Sequence, residues 1–227
     1  MRTLLHLPLD PASRTVRIIL AEKGLTVRLV ETPPWRDEEG VLAAANPAST
    51  TPVLIDAAPT GGEAAISPVS AIVEYLEEAY MGAPMLPGAS AARAETRRLC
   101  AWFHDKFDRE VNDFTLREHV DKRLMRAGQP DYERYREGRR ALAWHLDYLS
   151  WLVDRRSWLA GERMSAADIA AAAHLSALDY IGAVPWSDFP SVRDWYARIK
   201  SRPSMRPILK DRIEGLPPPS HYDDLDF

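Results

Sequence analysis

Strand-forming sequence is confined to the first sixty-six residues of the chain. Residues 3–7 (TLLHL) are a short apolar run closed by Pro8, the pattern of a buried strand. Val16, Ile19 and Leu20 recur at helical spacing, and Gly24 behind Lys23 is a stop signal. Residues 26–31 (TVRLVE) alternate and carry β-branched side chains, so a second strand is expected. The order β-α-β within about thirty residues is that of a crossover unit. After the irregular TPPWRDEEG, a weak helix runs from Val41 to Ala45. Strands are expected over 52–56 and 63–66, with PTGG between them as a hairpin turn. Residues 68–80 predict a helix with Ser67 as N-cap and Pro68 at the first helical position.

Residues 81–90 (MGAPMLPGAS) are rich in glycine and proline and read as an interdomain linker. Beyond them the strand signal vanishes. Leu99, Phe103, Phe107, Val111 and Phe114 mark one long amphipathic helix, and Leu142, Leu146, Leu149 and Val153 a second. Gly161 breaks the chain, and Ser165 with Asp168 is a capping-box pattern opening a third. Two more helices are expected over 189–201 and 203–212, while GLPPPSHYDDLDF fits none and forms a tail. The predicted architecture is therefore an α/β unit over 1–80, the linker 81–90, an all-α unit over 91–214 and a tail over 215–227.

Composition narrows the function. A net charge of −4 gives no basic footprint for nucleic acid, and acids sit among the arginine pairs. The single cysteine, Cys100, cannot form an internal disulfide, which fits a reducing cytoplasmic setting. The N-terminal apolar run is too short for a signal peptide, and no run reaches the ~18 apolar residues of a membrane span. Neither GxSxG, a Gly-rich phosphate loop nor HExxH occurs. His104 and Asp108 stand one helical turn apart without a third ligand, so no metal is expected.

Five segments in order resemble the cytosolic glutathione transferase family: RTVRIILAEKG (14–24), NPASTTPVL (46–54), SPVSAIVEYLEE (67–78), WLAGERMSAADI (158–169) and KSRPSMR (200–206). The resemblance runs over residues 1–212 and implies a thioredoxin-like N-terminal domain (βαβ-ββα), a helical C-terminal domain and a homodimer. It implies a cis proline at Pro52, beside Thr51, at the edge of a glutathione site. Asp168 reads as a structural cap.

The catalytic pattern of that family breaks in two places. A glutathione transferase needs a donor near the end of the first strand to stabilise the thiolate. The matching position is Asp10, which at neutral pH is negative and acceptor-only and so raises a thiolate pKa. Ser13 is the substitute donor, if one exists. The family's acid-serine pair at the third helix, which holds the γ-glutamyl end, corresponds to Pro68-Val69. Neither side chain can hydrogen-bond, and only Ser67 and the helix N-terminus remain. Losing a charge-assisted contact costs roughly 1.5–3 kcal/mol. The site formed by Thr51, Pro52, Ser67, Pro68 and Val69 is thus degenerate, Asp10 and Ser13 are vestigial, and no cofactor is expected.

Two segments stand out as surface features. Trp35, in a proline-stiffened polar loop, is either a lid on the domain or an exposed anchor. The tail follows Pro217–Pro219 with His221, Tyr222, Asp223, Asp224, Leu225, Asp226 and Phe227. It either packs on its own helical domain or binds a partner, with acids for steering and aromatics for anchoring. SPVSAIVEYLEE and the tail PPPSHYDDLDF resemble the transferase-like cell-division proteins of alphaproteobacteria that bind the tubulin homologue FtsZ. That resemblance implies a non-catalytic cytoplasmic homodimer, recruited to the division site, that binds FtsZ filaments and promotes curvature, bundling and constriction. The contact candidates are Trp35 and Tyr222 to Phe227, Asp224 above all. The alternatives are a glutathione transferase with an atypical site, or a transferase-like adaptor for another protein.

Overall fold

A computed structural model of the chain describes residues 2–57 and 62–225. Four strands, β1 (Thr3–His6), β2 (Arg28–Glu31), β3 (Val53–Ala57) and β4 (Glu63–Ile66), form one sheet in the order β2-β1-β3-β4. β1 runs parallel to β2, with Leu4 opposite Leu29, and antiparallel to β3, with Leu4 opposite Leu54. β3 and β4 pair antiparallel, and the PTGG turn expected between them lies mostly outside the described residues. Because side chains alternate across a strand, Leu4 and Leu54 enter the main core with α1 (Pro11–Glu22) and α3 (Val69–Ala79). Leu5 and Val53 face the other way and pack with Leu42 of α2 (Val41–Ala45).

Two helix starts were legible to different degrees. Asp10 caps α1, accepting from the backbone N–H of Ala12 and Ser13, with Pro11 at the first turn. Ser67, by contrast, is not the cap of α3. Pro68 occupies the cap position with ψ at −168°, and no side chain caps the helix. The Ser67 hydroxyl is therefore one residue too early to reach the first free amides. Both Thr51–Pro52 and Ser67–Pro68 are cis; the first is the cis proline the family resemblance implies.

Between α3 and α4 (Ser90–Ala101), the chain is irregular but clamped. Glu77 accepts from the amides of Met85 and Leu86 at 2.9 and 3.2 Å and pairs with Lys23 at 3.1 Å. Leu99, Phe103, Phe107 and Val111 form the buried stripe expected. The helix carrying them passes at Trp102 into wider π-helical turns that end at Asn112. Phe114 falls in the turn beyond and is only half-buried. A second π-helical turn, Arg117–Asp121, and α5 (Lys122–Leu124) follow.

α6 (Tyr132–Val153) starts a full ten residues before its first marked leucine, capped by Asp131. It crosses the Phe114–Thr115 turn at Gly138, where a Cβ would stand 2.7 Å from that of Phe114. α7 (Ala166–Tyr180) is buried along its entire length. Its capping box forms as expected: Ser165 Oγ accepts from Ala167 N–H, and Asp168 accepts from Ser165 N–H at 3.0 Å. Asp168 also accepts from Leu159 N–H and Trp195 Nε1, so it is a structural hub. The helix expected over 203–212 is shorter: after α8 (Pro190–Lys200), a 3-10 turn at Pro203–Met205 leads into α9 (Arg206–Leu209).

α1 packs on α7 and joins the two halves. Arg14 is fully buried there, donating to Pro8 C=O at 2.7 Å and Ser176 Oγ at 2.8 Å. Arg17 pairs with Asp211 at 2.7 Å, and Arg202 clamps Glu22 at 2.7 and 2.8 Å.

Candidate functional site

A cleft of about 720 Å³ opens between the sheet domain and the helical domain. The sheet domain supplies the β1–α1 turn, Trp35 and Ser49–Thr51; the helical domain supplies Asp108, Asn112, Arg117 and Asp121. The β1–α1 turn places Asp10 in its wall. Ser13 Oγ donates to Asp10 Oδ2 at 2.5 Å, and Thr51 Oγ1 donates to the same oxygen at 3.3 Å. Ser13 itself is fully buried and also accepts from Leu7 N–H. Its hydroxyl is committed on both sides and does not reach the cleft. Burial pushes the Asp10 carboxyl up, while the Ser13 hydrogen bonds pull it back.

Opposite Asp10, Asp108 accepts from Asn112 Nδ2 and Arg117, each at 2.9 Å. Asp121 also lines the cleft, with its carboxyl pushed up to about 6. Burial is the main cause; Arg117 offsets it, and the charges of Asp10 and Asp108 add to it. Behind this wall, Asn112 donates to His174 Nδ1 at 2.7 Å, and His174 Nε2 meets His104 Nδ1 at 3.2 Å. His104, half-buried, is thus the partner of the buried His174. Among the described residues no group of three His, Cys, Asp or Glu side chains is arranged to hold a metal.

The tail divides in two. Tyr222 is fully buried against Tyr180, and Lys200 Nζ donates to His221 C=O at 3.2 Å. His221 Nε2 lies 3.0 Å from Asp179 Oδ1. Tyr222 is therefore corrected from partner contact to internal anchor, because its ring has no exposed surface. Past it, Asp223 pairs with Arg212 and is half-exposed, and Asp224 and Leu225 are exposed. Asp226 and Phe227 lie outside the described residues. Trp35 is neither free nor core: it is half-buried in a 3-10 turn, Pro34–Arg36, and lines the cleft.

The sequence profile of the glutathione S-transferase N-terminal domain matches residues 4–84, and that of the C-terminal domain matches residues 119–203. The FtsZ-localized protein A of Caulobacter vibrioides is 50% identical over all of this chain and 98% of its own. The chain belongs to the glutathione S-transferase family. FzlA from C. crescentus superposes with a TM-score of 0.95 at 50% identity, covering 100% of this chain and 99% of that one. A glutathione S-transferase from Rhodospirillum rubrum superposes at 0.94 with 48% identity, each chain covered in full. The resemblance read from the sequence is thereby shown.

Set in the family, the glutathione positions lie together at the ends of β3 and β4, where Leu54 pairs with Ile66, but among them only Thr51 lines this cleft. Val69 is buried in the core and Pro68 is exposed. Neither they nor Ser67 line the cleft, whereas Thr51 does. The cleft lining holds Asp10, Asp108 and Asp121 together with Arg36, Arg117, Arg123, Arg126 and Arg212. The helical-domain members of that set escaped sequence reasoning. Asp108 stands one helical turn from His104 in sequence, and nothing in local spacing connects it to Asp10, ninety-eight residues earlier.

Proposed function

We propose that the chain is a non-catalytic glutathione S-transferase-fold homodimer that binds FtsZ filaments at the division site and promotes their curvature and bundling. The observation that carries this is its full-length 50% identity with a protein named for FtsZ localisation. The cleft chemistry supports it, since Asp10 stands where a thiolate needs a donor and Ser13 is spent on Asp10. The binding face comprises Trp35 and the exposed tail end, Asp223, Asp224 and Leu225, and Asp226 and Phe227 are further contact candidates from the sequence. Tyr222 fixes that end to the helical domain. Two such faces per dimer would give avidity on a polymer.

The dimer surface we assign is an exposed aromatic face on the long helices of the second domain. Trp144 and Trp151 of α6 are 52% and 47% exposed. Trp144 stacks on Trp102 and Tyr148 on Trp151, with centroid distances of 5.8 and 6.2 Å. Tryptophans are enriched where interfaces concentrate their binding energy.

The test is co-sedimentation with GTP-assembled FtsZ, with imaging of the pellet. Pelleting with curved or bundled filaments is expected. A protein left in the supernatant at micromolar concentration, together with measurable glutathione binding, would favour the transferase reading that the Rhodospirillum relative's name carries.

A further inference from the structure

A second concavity, a groove of about 420 Å³, adjoins the cleft and shares Arg123 and Arg126 with it. Its polar lining is His119, Lys122, Arg123, Arg126, Gln129 and Tyr132, and among the described residues no carboxylate lines it. In a chain of net charge −4 that is a local reversal of sign. The stripe follows from spacing. His119, Lys122, Arg123 and Arg126 stand at i, i+3, i+4 and i+7, which gathers side chains on one face of a helical turn. The acids nearest in sequence are turned to other work. Glu118 is buried and pairs with Lys122 and Arg134. Asp131 accepts from the first amides of α6. Arg123 donates to Gly215 C=O, whereas the Arg126 guanidinium has no hydrogen bond, ion pair or ring contact among the described residues.

The backbone supplies a second, independent observation. Ala127 N–H donates to Lys122 C=O and Arg126 N–H to Arg123 C=O, the paired bonds that close a helix end in a Schellman motif. Arg126 occupies the left-handed position of that motif, with φ at +54°. Glycine is the usual residue there, because any side chain is strained in that conformation. Lys122 and Arg123 are ordinary cations for a helix C-terminus, where they complement the dipole. Arg126 is not explained that way, since glycine would close the same turn without strain. The chain thus holds a guanidinium at this point against its local backbone preference, exposed and with its donor fork unengaged.

We propose that this groove is a docking site for an acidic peptide segment of a protein partner. Every polar side chain of the lining can donate: the guanidinium groups of Arg126 and Arg123, the ammonium of Lys122, the amide of Gln129 and the hydroxyl of Tyr132, which is 75% exposed. Donors without acceptors suit carboxylates, and a guanidinium fork can take one bidentately. The cations are spread along a strip that continues at Arg123 and Arg126 into the cleft mouth, which suits an extended chain better than a single ion. The site goes beyond the FtsZ reading, whose contacts are Trp35 and the tail end, and either can fail alone.

The test is fluorescence anisotropy of a labelled decaglutamate peptide with the full-length protein at low ionic strength, with decaserine as the neutral control. Decaglutamate should bind, and added salt should weaken it. Arg126→Gly should weaken it roughly tenfold or more, the loss of a charge-assisted contact, yet melt no lower than the parent by circular dichroism because the strain is relieved. Arg163→Gln removes the same charge in the exposed loop before α7, whereas Arg123 meets Gly215, next to the Leu216 that contacts the far end of that helix. It should leave binding unchanged. Any of four results would overturn the proposal: no binding up to millimolar decaglutamate, equal binding of decaserine, equal affinity in Arg126→Gly and the parent, or an equal loss in Arg163→Gln. Displacement of the peptide by inorganic phosphate at lower concentration than by unlabelled decaglutamate would also overturn it, making the groove a small-anion site.

Discussion

Tyr222 stands edge-on against Tyr180, with ring centroids 5.1 Å apart and planes at 81°. That contact turns a proline-rich terminal segment into a fixed arm. Tyr222 is fully buried, so the chain on its far side leaves the helical domain from a defined point. Truncating a buried aromatic costs about 3–5 kcal/mol. Here the loss should fall on docking of the arm rather than on the global fold. Tyr222→Ala should expose the segment after Leu216 to limited proteolysis and weaken FtsZ pelleting. Tyr222→Phe should do both to a much smaller degree, since it keeps the ring and loses only the hydroxyl, with its long bond of 3.4 Å to Ile208 C=O and its interaction with the buried Arg14.

Asp121 opposes stability at neutral pH. Its folded carboxyl titrates at about 6 against an ordinary 3.8. The folded protein therefore holds a proton there that the unfolded chain has lost, so stability falls as pH rises from about 4 to 6 and the penalty persists above. Asp121→Asn removes it. We expect the variant to be more stable at pH 7 by roughly 1–2 kcal/mol, or a few degrees in Tm. The difference should shrink toward zero at pH 4. Thermal melts of both proteins across that range check it.

The buried imidazoles work the other way. Burial holds His104 down at about 4 and His174 at about 3, the latter helped by repulsion from His104. Between the ordinary value of 6.5 and those values, the unfolded chain takes up protons that the folded protein refuses. Their stabilising effect is complete above pH 6.5 and is lost as pH falls below it. His174→Gln should be less stable at pH 7, yet decline less steeply between pH 6.5 and 4. Urea titrations at stepped pH would show the shallower slope.

The aromatic face on α6 gives a prediction about assembly. Trp144→Glu combined with Trp151→Glu places charge on two half-exposed rings, which a monomer tolerates and a buried interface does not. Sedimentation velocity should show the parent as a dimer and the double variant as a monomer, with an unchanged circular dichroism spectrum. A dimeric double variant would move the interface elsewhere.

Local chemistry was readable wherever neighbours in sequence decide it. The Ser165–Asp168 capping box, the four strands and the break after the third helix all follow from spacing and propensity. Ser67 was misread as a cap because the pattern of a hydroxyl before proline hides which residue turns. The length of α6 was missed because its first half, from Tyr132 to Ala141, is largely polar and exposed, leaving little periodicity to detect. Long-range pairings were the least legible. Nothing in the sequence brings Asp10 toward Asp108 and Asp121, or sets Tyr222 on Tyr180, because the domains must first fold and dock. The tail's two alternatives resolve into one each: the segment through Tyr222 packs, and Asp224 and Leu225 face solvent.

The proposed division role is tested most directly by FtsZ co-sedimentation with three proteins side by side: the parent, Trp35→Ala and Asp224→Lys. The parent should pellet with filaments and leave them curved or bundled, while both variants stay dimeric, stay folded and remain in the supernatant. If both variants pelleted as the parent does, the assigned face would be wrong. If the parent itself failed to pellet with assembled FtsZ, the division role would be contradicted.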